Sequence, residues 1–279
     1  MTKPDAGRLA APQTAALAGG AVRDSGWVRH VSKTRVAHLF TALALLTWWL
    51  YAQVIPAYQM PGPGAVFLRM VDFVTTPFLL GQLWISIYHI SVAIALAFFA
   101  GSALAFTARF VPVTRMLIDS VLTPLLNAFA GIGWLFLALL WFGLNHTTVV
   151  FAVTMILIPL TTINVRAGLQ ELDGDMMEMG LSFTRSSPRR FIRIVLPLLL
   201  PYFFAALRIS FGVSWKVVLT AELFGGNAGL GYLLNVARQE FDTETIFAII
   251  AFILVFVVIC EQLLFRPVQR RLDRRYSRA

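Results

Sequence analysis

Six long apolar runs, at about residues 36–55, 79–106, 121–143, 147–165, 198–223 and 245–265, are separated by short stretches rich in charge, proline or glycine. A bilayer core of about 30 Å is crossed by roughly 20 mainly apolar residues in helical conformation. Each run therefore predicts one spanning helix, and the fold class is all-α, a polytopic membrane protein with six transmembrane helices. The third run is the most interrupted, by Pro124, Gly131 and Gly133, and residues 112–122 just before it predict a separate interfacial piece. In the second run Ala93, Ala97, Gly101 and Ala105 recur every four residues, a flat face suited to close helix approach.

Charge placement tests this count. Retained cytoplasmic loops carry the Lys/Arg excess, and the cations here fall in alternate segments. They crowd the N-terminal tail (Lys3, Arg8, Arg23, Arg29, Lys33, Arg35), the segment after the second run (Arg109, Arg115), the loop after the fourth (Arg166, Arg185, Arg189, Arg190, Arg193) and the C-terminal tail from Arg266. The intervening loops hold Arg69 and Arg238. Both termini are thus expected in the cytoplasm, with residues 1–35 a basic tail, 36–265 the membrane domain and 266–279 a second basic tail. Read this way, the net charge of +9 is a topology signal and calls for no nucleic-acid partner. With 58% hydrophobic and 13% charged residues the chain is too apolar for a soluble globule. The long polar start does not read as a signal peptide, and Cys260, inside an apolar run, reads as a small core residue.

Chemistry of other kinds is missing from the sequence. No glycine is followed by lysine, so there is no phosphate-binding G-x-x-x-x-G-K-[ST] loop, and energy from ATP would have to come from a partner. His30, His38, His89 and His146 are scattered and form no metal motif; His89 reads as a packing residue. No serine stands in G-x-S-x-G and no acidic pair lies within a run. A membrane enzyme is disfavoured, and no metal site is expected.

The longest polar interruption, "ELDGDMMEMGLSFTRSSPRRFIRIVLPLLLP", begins at Glu171. Leu172, Met176, Met179, Gly180 and Phe183 fall on one helical stripe and Glu171, Asp175, Glu178 and Ser182 on the other. Asp173 suits an N-cap, and a second helix is expected from Ser187 and Pro188. Two short helices joined by a turn would project from the membrane over about residues 170–196.

This block resembles the E-A-A, three residues, G, nine residues, I-x-L-P motif of permease subunits of bacterial binding-protein-dependent ABC importers: Glu178-Met179-Gly180, then Thr184, then Ile194-Val195-Leu196-Pro197. Thr184 stands where the motif has glycine. "MPGPGAVF" from Met60, "WFGL" from Trp141 and "LRISFGVSWKVVLTAELFGGNAGLGYLL" from Leu207 are similar to further segments of that family, the last to its nitrate/sulfonate/taurine branch. The resemblance implies a type I ABC importer permease fold, with Asp175, Met176, Glu178, Met179, Gly180, Ser182, Thr184 and Arg185 in a coupling helix that touches the ATPase. It implies two ATPase subunits, a periplasmic or lipid-anchored substrate-binding protein, a second copy of the chain, and a bacterial inner-membrane location. It implies no cofactor bound by this chain, with ATP and Mg in the partner ATPase. Leu230 and Tyr232, in the amphipathic segment after the fifth run, would lie near the outer gate or contact the binding protein.

In the fifth run Arg208, Gly212, Lys216 and Thr220 recur at four-residue steps, and charges at membrane depth are functional suspects. Lys216, Thr220 and Glu222, faced by Gly131 and Trp134 of the broken third run, are the candidate translocation path. Lys216 could instead snorkel or pair with Glu222. Arg208 reads as an interface or phosphate contact. The expected function is passage of a small solute, an anion such as nitrate, a sulfonate or taurine, by alternating access; a stand-alone secondary transporter or channel is the other reading.

Overall fold

The computed structural model describes residues 33–56, 58–128, 130–171, 191 and 195–276. The chain divides into two compact units, residues 1–50 and 51–279. Most of helix α1 (Lys33–Val54) belongs to the first. Every later element belongs to the second: α2 (Pro63–Thr75), α3 (Pro77–Phe110), α4 (Pro112–Leu117), a π-helical turn (Ile118–Leu122), α5 (Thr123–Ala128), α6 (Gly131–Phe142), α7 (His146–Gln170), α8 (Leu196–Gly225), α9 (Leu230–Gln239), α10 (Thr243–Cys260), a π-helical turn (Glu261–Phe265) and α11 (Arg266–Tyr276). Among the described residues there is no strand.

Among the described residues four helices are long and apolar enough to cross a bilayer: Pro77–Arg109, His146–Gln170, Leu196–Gly225 and Thr243–Leu272. A fifth span is made if Val113–Leu126 and Gly131–Phe142, bent by 85°, are counted as one. Four or five of the six expected spans are thus found among those residues. The first run forms a 22-residue helix, α1. The third is broken as its glycines predicted. At 1.5 Å per residue α6 alone reaches only about 18 Å.

Local chemistry sets the ends. Pro77 and Pro112 occupy first helical positions, where a missing N–H costs nothing. Asn145 caps α7 by accepting from the Thr148 amide at 3.1 Å, and Asp242 caps α10 by accepting from the Thr245 amide at 3.0 Å. Gly143, with φ of 72°, lets the chain turn out of α6. Helix α2 was not foreseen. Pro63 starts it, and Val66 and Phe73 face inward, where Phe73 stacks on Phe252 of α10 at 5.7 Å between ring centroids.

Helices α3 and α7 make the central contact of the second unit, with α8 packed against both. The four-residue stripe Ala93, Ala97, Gly101, Ala105 is buried there, as its spacing predicted. On α7 the facing polar residues are satisfied within their own helix: Thr161 donates to the Leu157 carbonyl at 3.0 Å and Thr162 to that of Ile158 at 2.8 Å. A methyl group added at Gly101 would lie 2.8 Å from Thr161 Cβ and 3.0 Å from the Ile158 carbonyl oxygen. Gly101→Val is therefore expected to destabilise the chain by about 1–3 kcal/mol. Thermal unfolding of the purified protein in detergent measures it; an unchanged midpoint would show that the two helices part without cost.

Outward faces stay apolar. On α10, Ile250, Leu254, Val255, Val258 and Ile259 are exposed, a surface suited to lipid or to another hydrophobic partner. At one end of the bundle Ala105, Val165, Leu169, Val195 and Leu199 form a buried cluster, with Phe106 and Phe191 edge-to-face at 5.7 Å. This cluster anchors the two points where the chain leaves α7 and re-enters α8.

Candidate functional site

The expected ATPase-coupling residues Asp175, Met176, Glu178, Met179, Gly180, Ser182, Thr184 and Arg185 lie outside the described residues. The other candidates all lie on α6, α8 and α9, where the structure sorts them into two places.

Lys216 and Thr220, one turn apart on α8, line a cavity of about 250 Å³ with Gly131, Ile132 and Leu135 of α6 and Ile156 of α7. Gly131 leaves room there: a methyl group on it would meet the Ile156 side chain at 3.0 Å. Lys216 and Thr220 are exposed, so the ammonium can reach whatever enters this face. Trp134 is half-buried on α6 and is not among the lining residues.

Glu222 lies elsewhere. Six residues beyond Lys216, it is turned by about 240° around a helix with 3.6 residues per turn, onto the buried side. Instead of the Lys216 pair that the sequence allowed, its fully buried carboxyl group meets three polar partners. Ser86 Oγ stands 2.8 Å from both oxygens, the Gly231 amide donates to Oε2 at 2.8 Å, and His89 Nδ1 lies 2.7 Å from Oε1. A buried carboxyl group is tolerable only when its oxygens are hydrogen-bonded, as both are here.

The network continues outward. His89 Nε2 is 2.8 Å from His146 Nδ1, so one hydrogen lies between the two rings. Ser86 Oγ accepts from the Leu230 amide at 2.8 Å, and Gln82 Oε1 accepts from the Gly229 amide, 2.6 Å away. His89 is a buried residue with both ring nitrogens satisfied, and the fold brings it together with Glu222 and with His146, its separation from them in sequence notwithstanding. Sequence reasoning missed Gln82 and Ser86 entirely. A signal was present, because Gln82, Ser86 and His89 sit at i, i+4 and i+7 in an otherwise apolar helix, in line with the small-residue stripe.

Leu230 is fully buried and Tyr232 half-buried on α9. Beside them Arg69 of α2 donates to Thr245 at 2.9 Å and pairs with Asp242 at 3.6 Å. Burial pushes the Asp242 carboxyl upward, but hydrogen bonds from the Thr245 side chain and backbone, with the Arg69 guanidinium, outweigh it and hold the group below its ordinary value. In the first half of α8, Arg208 donates to Glu261 and Gln269. Among the described residues no group of histidine, cysteine and carboxylate side chains could hold a metal.

Known proteins carry the same architecture. A solved structure of the MetNI methionine ABC transporter in inward-facing conformations superposes with a TM-score of 0.61 over 71% of this chain and 97% of that one, at 14% identity. The taurine transport system permease protein TauC of Escherichia coli is 26% identical over 254 residues, 88% of this chain and 92% of its own. The bicarbonate transport system permease protein CmpB of Synechococcus elongatus is 25% identical over 219 residues, 74% and 78% of the two chains. The family model described as "Binding-protein-dependent transport system inner membrane component" matches residues 35–278. A match over nearly the whole membrane domain makes this chain a multi-pass permease subunit that works with an ATPase and a substrate-binding protein, and places it in the family of binding-protein-dependent transport system inner membrane components.

Proposed function

We propose that the chain forms, as a pair of identical copies, the translocation path of an importer for a small oxyanion-bearing solute of the sulfonate or bicarbonate class. The observation that carries the substrate class is Lys216: a cation on an exposed face of α8, at a cavity otherwise lined by apolar groups and Thr220. In a low-dielectric wall such a charge attracts an anion strongly and repels cations. The names of the relatives, taurine and bicarbonate permeases, support the same class.

Both termini face the cytoplasm in this reading, in line with the cation-rich segments. Two ATPase subunits bind ATP and Mg below, gripping the segment around Glu178 and Gly180, and the binding protein docks above, near α9. Nucleotide-driven closure then alternates access to the path. Lys216→Met keeps the length and loses the charge. Uptake of radiolabelled taurine by cells carrying the whole transporter is expected to fall at least about tenfold, the effect of a lost interaction of about 1.4 kcal/mol, with membrane levels unchanged. Uptake equal to the parent's, at equal levels, removes Lys216 from the path.

A further inference from the structure

Helix α9 has no cap of its own. Its N-cap is Gly229, which has no side chain, and no local side chain accepts from its first turn. Yet the amides of Gly229, Leu230 and Gly231 are satisfied, one each by Gln82 and Ser86 of α3 and by Glu222 of α8. These acceptors lie 147, 144 and 9 residues away in sequence. A helix capped locally can swing as a separate body, taking its cap along. Here the cap is spread over two other helices, so α9 cannot leave without exposing its amides and taking a partner from the buried Glu222 carboxyl group.

We infer that Glu222 is a positioning residue: held by Ser86 and His89, its carboxylate locks the start of α9 to α3 and α8, so that these three move as one body in the transport cycle. Helix α8 follows directly on the segment expected to meet the ATPase, and its 30 residues reach about 45 Å. Movement of its length beyond Pro201, in its second turn, is thereby delivered to α9 at its far end. This rests on the permease reading above for its functional consequence, and on the geometry alone for the lock.

The test uses the full chain assembled with its ATPase in lipid nanodiscs, comparing wild type, Glu222→Gln, Ser86→Ala and the exposed control Glu240→Gln. Hydrogen exchange is followed over residues 226–234, with residues 146–158 of α7 as reference. Glu222→Gln is expected to speed exchange at 226–234 by about ten- to hundredfold, the range for leaving a buried polar group unsatisfied, with α7 unchanged. Stimulation of ATP hydrolysis by a taurine-charged binding protein should fall about tenfold, while unstimulated hydrolysis and the Glu240→Gln control stay at wild-type values. Slow exchange retained in Glu222→Gln, acceleration shared equally by α7, or full stimulation despite a freed 226–234 segment would each overturn the proposal. Should Glu222→Gln not assemble, Ser86→Ala, which removes one acceptor, decides on the same comparison. A wild-type complex that taurine does not stimulate counts against the sulfonate reading alone; exchange then judges the lock by itself.

Discussion

Gly231→Ala is expected to lower the stability of the chain by about 3 kcal/mol or more, the upper range for forcing atoms into a packed core. The added carbon would lie 2.6 Å from Glu222 Cβ and still closer to the Leu219 carbonyl oxygen. Neither neighbour is the free end of a flexible side chain, so relief requires α9 to lift away from α8. Lifting would also separate the Gly231 amide from Glu222, adding the loss of a buried hydrogen bond. Gly212 of α8 provides the contrast: nothing stands within 4 Å of a carbon added there, and Gly212→Ala should be neutral or mildly stabilising. Thermal unfolding of both variants in detergent checks the pair. Equal midpoints would mean that α9 does not pack on α8 as described.

His89→Leu is expected to cost about 1–3 kcal/mol, the usual effect of leaving a buried polar group short of a hydrogen-bond partner. The leucine fills much of the space but leaves Glu222 Oε1 with only the shared Ser86 hydroxyl. His146→Leu removes only the outer link of the chain, His89 Nε2 to His146 Nδ1, on a side partly open to a cavity of about 270 Å³. Its cost should be about 1 kcal/mol. Adding Glu222→Gln to His89→Leu should cost less than the sum of the two single changes, because residues sharing a network are not additive. Chemical unfolding of the single and double variants gives the coupling directly. If His89→Leu and His146→Leu cost the same, the carboxylate does not depend on the imidazole.

Much of the architecture was legible because it depends on neighbours in sequence. The four long helices extend at most a few residues beyond their apolar runs, apart from the last, which continues as far as Leu272 into the basic tail. The small-residue stripe of α3 is the face it packs with, since four-residue spacing puts those positions on one side of any helix. The break in the third run fell near Gly131. Helix α2 was hidden because its 13 residues are too few to read as a span and its inward positions, Val66 and Phe73, are few.

The site was only half legible. Lys216 and Thr220 share a face by spacing alone, and they do line one cavity with Gly131. Glu222 was grouped with them because it is near in sequence and charged, but the helix turns it the other way. Its partners Ser86 and His89 are 136 and 133 residues distant. By itself the sequence determined which residues form helices, where those helices end, and which positions share a face, because each follows from a helical repeat of 3.6 residues and the length needed to cross a bilayer. Only the tertiary structure decided which faces meet, because the rotation and depth of one helix against another come from packing of side chains far apart in the chain. That choice set Glu222, His89 and the amides of α9 together and left Lys216 on the open side.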